Sequence, residues 1–164
     1  MYTALGQYDK ALGVYEKLLK SRPADAFALS GKATTLALAG DPAKGHKEVM
    51  GKDGAPPKAP QMVYAAGLCL LVQGDARQAQ TILQPIASGQ RAQIWWLVAY
   101  TESLRQLGRH AEADKLLSQR LKANVAGRIQ LLPYLALVRN DMGKDQEAKA
   151  MLEEAIGLQP GYKN

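Results

Sequence analysis

At 164 residues, 47% hydrophobic and 22% charged, the chain has enough apolar residues for a packed interior, which excludes wholesale disorder. No run approaches the roughly 18 consecutive apolar residues of a membrane span, and a single cysteine, Cys69, excludes an internal disulfide or a cysteine-based metal framework. The net charge of +6 leaves a surface for nucleic acid or another anionic partner to be weighed.

Strand formers are scarce and alanine and leucine abundant, so the composition predicts helices. The opening Met1-Tyr2-Thr3-Ala4-Leu5-Gly6 lacks the charged start and apolar core of a signal peptide. As written, the chain reads as untargeted and cytoplasmic; a periplasmic or membrane-tethered placement follows only if a leader or a longer parent chain was removed. Gly6 begins a series that continues at Gly40, Gly74, Gly108 and Gly143, in steps of 34, 34, 34 and 35 residues. A period in this range predicts an array of stacked small units.

Aligned on that glycine, other residues recur. Five places after it stand Ala11, Gly45, Ala79, Ala113 and Ala148; nine places after it, Tyr15, Val49, Leu83, Leu117 and Leu152. Seven before it are Ala33, Gly67, Thr101 and Ala136, and seventeen after it Pro23, Pro57 and Pro160. The glycine suits a turn between two helices, where only a residue without a β-carbon adopts a left-handed backbone cheaply. Small residues let the helices approach, large ones fill the seam, and proline ends the second helix. Asp41 and Asp75 are placed to cap the helix that follows each turn.

The predicted units are residues 1–23, 26–57, 60–91, 94–125 and 129–160. The first lacks most of its leading helix. The second has a shortened second helix, because Gly51, Gly54, Pro56, Pro57 and Pro60 break anything beyond about Met50. In the fifth, Arg139 replaces an apolar residue and Pro133 falls inside the first helix; the expectation is a kink with a one-residue bulge, the alternative an extra loop residue near Ala126-Gly127. The last unit ends without a polar capping helix, which leaves Met151, Ile156 and Leu158 poorly covered.

Chemistry is absent from the motifs. Gly40-Asp41-Pro42-Ala43-Lys44-Gly45 has glycines spaced as in a phosphate loop, but His46-Lys47 stands where Lys followed by Ser or Thr is needed. His46 and His110 have no ligand-spaced partners, no serine sits in a nucleophile elbow, and Cys69 lies in an apolar run as a small buried thiol. The chain therefore reads as a non-enzyme with no cofactor and no metal. Between Arg91 and Arg128, seven basic residues face three acidic ones, so this stretch holds +4 of the +6. Cations interleaved with acids on helix surfaces are usually solvated, so the pattern argues against a nucleic-acid surface.

The set Gly6-x-Tyr8-x-x-Ala11-x-x-x-Tyr15 with Pro23, and Gly143-x-x-x-x-Ala148 with Leu152 and Pro160, resembles the tetratricopeptide repeat (TPR) family, with five units in register over essentially the whole chain. The resemblance implies an all-α fold, a right-handed superhelix of stacked antiparallel helix hairpins, about four and a half units long. It further implies that residues thirteen, ten, six and three places before each glycine line a concave wall. These are Phe27, Ser30, Thr34 and Ala37; Gln61, Tyr64, Leu68 and Leu71; Trp95, Val98, Glu102 and Arg105; and Gln130, Pro133, Leu137 and Asn140.

From this wall, Phe27, Thr34, Gln61, Tyr64, Leu68, Trp95, Val98, Glu102 and Arg105 are the candidate groove residues, with Trp96 padding the interior. The branch of the family that reads a C-terminal carboxylate needs charge or amides where Ser30, Thr34, Tyr64 and Leu68 stand, which argues against that branch. The expected function is a non-catalytic scaffold holding a protein or peptide with apolar anchors, as a piece of a larger assembly or secretion-type protein. The alternative is a homo-oligomer of copies stacked through uncapped ends.

Overall fold

The computed structural model describes residues 2–51, 53–89, 92–123 and 127–159. Among them there are nine α-helices and one short 3-10 turn, and no strand. In chain order the helices are α1 (Tyr8–Ser21), α2 (Ala26–Leu38), α3 (Pro42–Val49), α4 (Pro60–Val72), α5 (Ala76–Ala87), α6 (Ile94–Gln106), α7 (His110–Ala123), α8 (Arg128–Asp141) and α9 (Asp145–Gly157). They fall into two compact units, Met1–Gly89 and Gln90–Asn164.

The periodic glycines make the turns. Gly6, Gly40, Gly74, Gly108 and Gly143 all have φ between 69° and 97°, the left-handed region that a β-carbon makes costly. In four of these turns the next residue donates its amide back across the glycine: Asp41 to the Leu36 carbonyl, Asp75 to Leu70, Arg109 to Leu104 and Lys144 to Arg139, at 2.8–2.9 Å. This six-to-one bond closes the preceding helix and reverses the chain. Asp41 and Asp75 then accept from the amides of Lys44 and Gln78 at 3.1 and 3.0 Å, as expected of caps. Asp25, which the period does not single out, does the same for Ala28 at 2.9 Å.

In the first unit α2 packs on α1, α3 and α4, and α4 on α5. The recurrent small and large residues meet there. A β-carbon on Gly67 would fall 2.5 Å from the Leu83 side chain, and one on Gly45 would fall 2.6 Å from the Ala33 carbonyl oxygen. Ala33, Ala37, Val49, Ala65, Ala66 and Cys69 form a core made mostly of short side chains, so the helices approach closely. The expected break after Met50 is present: α3 stops at Val49, with Met50 already extended.

In the second unit α6 packs on α7 and α8, α8 on α7 and α9, around Leu97, Leu104, Ala113, Leu117, Leu131 and Leu135. Here the expectation for Pro133 needs correction. α8 runs as unbroken α-helix through Pro133, with no bulge, and at 14 residues it is one longer than α6. It begins fifteen places before its glycine where α6 begins fourteen before, so the extra residue is taken up at the helix start. Of the alternative site at Ala126-Gly127, Ala126 lies outside the described residues, as do the unit boundaries at 91, 125 and 160. Arg139 is accommodated by charge: its Nε donates to Asp114 at 2.9 Å and its Nη1 to Glu147 at 2.7 Å. α5 carries an internal proline, Pro85, that the period does not announce.

Candidate functional site

The candidate groove residues lie on α2, α4 and α6, the first helices of their hairpins. In the first unit, α2 contributes Phe27 and Thr34, and α4 contributes Gln61, Tyr64 and Leu68. Phe27 is 72% exposed, a large aromatic ring left in water at the start of its helix. Gln61 is exposed, and Thr34, Tyr64 and Leu68 are half-buried. Their stripe neighbours are not available: Ser30 is buried with its hydroxyl donating to the Phe27 carbonyl at 2.9 Å, and Ala37 and Leu71 are buried. Ala37 packs with Ala65, Ala66 and Cys69 of α4, and the open face narrows to Phe27, Thr34, Gln61, Tyr64 and Leu68.

In the second unit, α6 carries Trp95, Val98, Glu102 and Arg105. Trp95 is 50% exposed, while Trp96 is half-buried. Val98 corrects the sequence reading, because at 8% exposure it belongs to the core with Leu97 and Leu104. Glu102 and Arg105 are also not a free polar edge. Arg105 donates through Nε and Nη2 to both carboxylate oxygens of Glu102, at 2.7 and 2.9 Å, and through Nη1 to Asp141 on α8 at 2.8 Å. These bonds, to Glu102 first and Asp141 next, raise the guanidinium further above its ordinary range. The gap between α6 and α8 beside Glu102, Arg105, Tyr134 and Leu137 measures only about 10 Å³, too small for a side chain to enter.

A surface that the glycine period foreshadows only in part lies on the last hairpin. Pro133, Ala136 and Leu137 of α8, with Leu152 and Ile156 of α9, line an open groove of about 440 Å³. Leu152 occupies the place where Val49, Leu83 and Leu117 are at most 1% exposed, yet it is 44% exposed. The seam-filling role expected of Leu152 is therefore not met among the described residues. Ile156 and Leu158 are open as expected, whereas Met151 packs against the core.

No three His, Cys, Asp or Glu side chains converge to hold a metal ion among the described residues. His46 is pushed below its ordinary range by burial, and the Cys69 thiol is pushed up to about 12 by desolvation, with its own backbone hydrogen bond acting weakly the other way. The Cys69 thiol is therefore not a thiolate at neutral pH. No helix is long and apolar enough to cross a membrane among the described residues.

Two tetratricopeptide repeat family models match the chain, one over residues 1–25 and one over residues 135–162. No curated protein sequence matches it. Among solved structures, a thermophilic TPR protein of Thermus thermophilus superposes with a TM-score of 0.83 at 22% identity, covering 96% of this chain and 86% of that one. A tetratricopeptide repeat protein from Parabacteroides merdae gives 0.73 at 16% identity, over 95% of this chain and 60% of the other. YrrB, described as a TPR protein with an unusual peptide-binding site, gives 0.63 at 16% identity, over 98% and 82%. At these identities the likeness is one of fold.

Proposed function

The chain belongs to the tetratricopeptide repeat family, and from that premise we propose that it is a non-catalytic protein–protein interaction scaffold, holding an apolar peptide or helix of another protein on the faces of its hairpins' first helices. The observation that carries this reading is Phe27, 72% exposed two turns before Thr34 on α2. A bare aromatic ring on a soluble surface is costly and typical of a binding anchor. Tyr64 and Leu68 on α4, which packs against α2, add half-buried apolar area. In the second unit Trp95 is the corresponding anchor, half exposed on α6. That YrrB has a peptide-binding site supports the reading by analogy of fold.

Each face is tested separately. A displayed library of apolar peptides is selected on the intact chain, and the winning peptide is titrated against Phe27→Ala/Tyr64→Ala and against Trp95→Ala. Loss of binding of at least about tenfold, the scale of a hot-spot anchor, with unchanged helicity supports the face that was altered. Undiminished binding to both variants refutes the assignment.

A further inference from the structure

α3 has 8 residues where the other second helices, α1, α5, α7 and α9, have 12 to 14. Among the described residues the chain from Met50 to Ala59 holds no helix or strand. Two of the three prolines that follow α3 have a place in the repeat. Pro57 stands seventeen residues after its glycine, and Pro60 is the first residue of α4, where a missing amide costs nothing. Pro56 serves neither role, and with it the loop acquires the run Ala55-Pro56-Pro57-Lys58.

The prolines dictate the backbone of this run. A residue before proline is confined to extended conformations, which restricts Ala55 and Pro56, and each proline ring holds its own φ at about −65°. Ala59, which precedes Pro60, shows the result at φ −73° and ψ 126°, in the polyproline II region. Ala55, Pro56 and Pro57 carry no turn and the chain bends at Lys58, so the extended run amounts to one turn of that three-residue helix. Both ends are tied. The Ala55 carbonyl accepts from the Gly51 amide at 3.0 Å, and the Ala59 carbonyl accepts from the Met62 and Val63 amides at 2.9 and 3.0 Å.

A helix of three residues per turn has three edges. Pro57 is half-buried and seats the run on the protein, Pro56 is exposed on the second edge, and Ala55 and Lys58, three apart and both exposed, share the third. Among the described residues no hydrogen bond reaches the carbonyls of Pro56, Pro57 and Lys58. Two open edges with free acceptors suit an aromatic-lined groove, whose rings pack on proline while tryptophan or tyrosine donors bond the carbonyls.

We propose that Ala55-Pro56-Pro57-Lys58 is a docking segment through which this chain is itself the ligand, held by a partner domain with an aromatic-lined polyproline groove and an acidic residue beside it. Proline has no amide to offer a sheet edge, so the run disfavours a strand-pairing partner. Lys58 closes the run with a positive charge that the acid meets, which sets the direction of binding. Because the run is fixed beforehand, little ordering entropy is lost on docking. The segment lies between α3 and α4, away from either end of the chain, and shares no residue with the faces of Phe27, Tyr64 and Trp95.

The test titrates the intact chain into a panel of isotope-labelled WW domains with differing proline preferences and follows their amide shifts. Saturable shifts around the aromatic groove of at least one domain are expected. Pro56→Ala, at an exposed position outside the repeat pattern, is expected to weaken that binding roughly fivefold or more, the scale at which truncation marks an interface residue. Lys58→Glu is expected to weaken it as well, and a free peptide spanning residues 53–60 to bind several-fold less tightly than the chain, since its ends are no longer tied. Unchanged melting of both variants shows that the fold is intact. No shift in any domain overturns the proposal, as does binding indifferent to Pro56→Ala or to Lys58→Glu. So does a free peptide that binds as tightly as the chain or more tightly, because the fold would then not present the segment. Loss of binding in Phe27→Ala/Tyr64→Ala would overturn it by placing the contact on α2 and α4.

Discussion

Cys69 sits with no exposed surface, its Sγ donating weakly to the Ala33 carbonyl at 3.7 Å. Burial holds the thiol neutral and moves it from an ordinary value of 9.0 to about 12, since a thiolate there would lose its hydration. The sign follows from linkage. Unfolded chains ionise above pH 9.0 while the folded thiol does not, so this residue's contribution is intact below 9.0 and is lost as the pH climbs towards about 12. Urea unfolding across that range is expected to show the stability difference between wild type and Cys69→Ala shrinking by up to about 1.4 kcal/mol per pH unit. A difference independent of pH would mean that the folded thiol ionises. In the native state the thiol is also expected to resist a disulfide reagent until the chain unfolds.

Between residue and hairpin stands the helix and its ends. α5 follows a glycine turn, is capped by Asp75 through the Gln78 amide at 3.0 Å, and buries Ala79 and Leu83 against α4. Removing that cap with Asp75→Ala is expected to cost about 1 kcal/mol, lowering the melting temperature by roughly 2–4 °C. Asp75→Asn keeps an acceptor oxygen and should recover most of the loss. If both variants melt alike, the carboxylate's hydrogen bond is not what stabilises the helix. α8 makes a related point about tolerance. A proline and an arginine sit where α2, α4 and α6 have Ser30, Tyr64 and Val98 and Leu36, Leu70 and Leu104, yet the helix persists, because Leu131, Leu132 and Leu135 are buried and Arg139 is paired twice.

For the whole molecule, the +6 charge coexists with ion pairs that hold several of the cations. Arg105 is held by Glu102 and Asp141, Arg109 by Glu112, Arg128 by Glu154, Arg139 by Asp114 and Glu147, and Lys32 by Glu48. In the basic stretch between Arg91 and Arg128, Lys115 and Lys122 are exposed, but two cations there release few counterions from a phosphate backbone, and other exposed lysines stand on separate helices, Lys10, Lys17 and Lys20 on α1, Lys44 and Lys47 on α3 and Lys149 on α9. Titration of a short labelled DNA duplex at about 0.15 M salt is therefore expected to give no saturable binding. A tight, steeply salt-dependent complex would reinstate a nucleic-acid surface.

What the chain alone determined is what depends on neighbours in sequence. A glycine every 34 residues carries its turn with it, since a positive φ is a property of one residue, and the helices between turns follow from their own composition and caps. The small residues and Leu83 were likewise legible, because a repeat imposes the same contact wherever it recurs. Exposure was not legible, because it depends on which helix lies alongside. Val98 and Phe27 occupy the same inward stripe at neighbouring offsets, yet one is core and the other bare. Leu117 and Leu152 share an offset, yet among the described residues the first is buried beneath α8 and the second is exposed. Arg139 looked like a defect until tertiary structure brought Asp114 and Glu147 to it, since opposite charges that are remote in sequence attract only once the fold has placed them within reach.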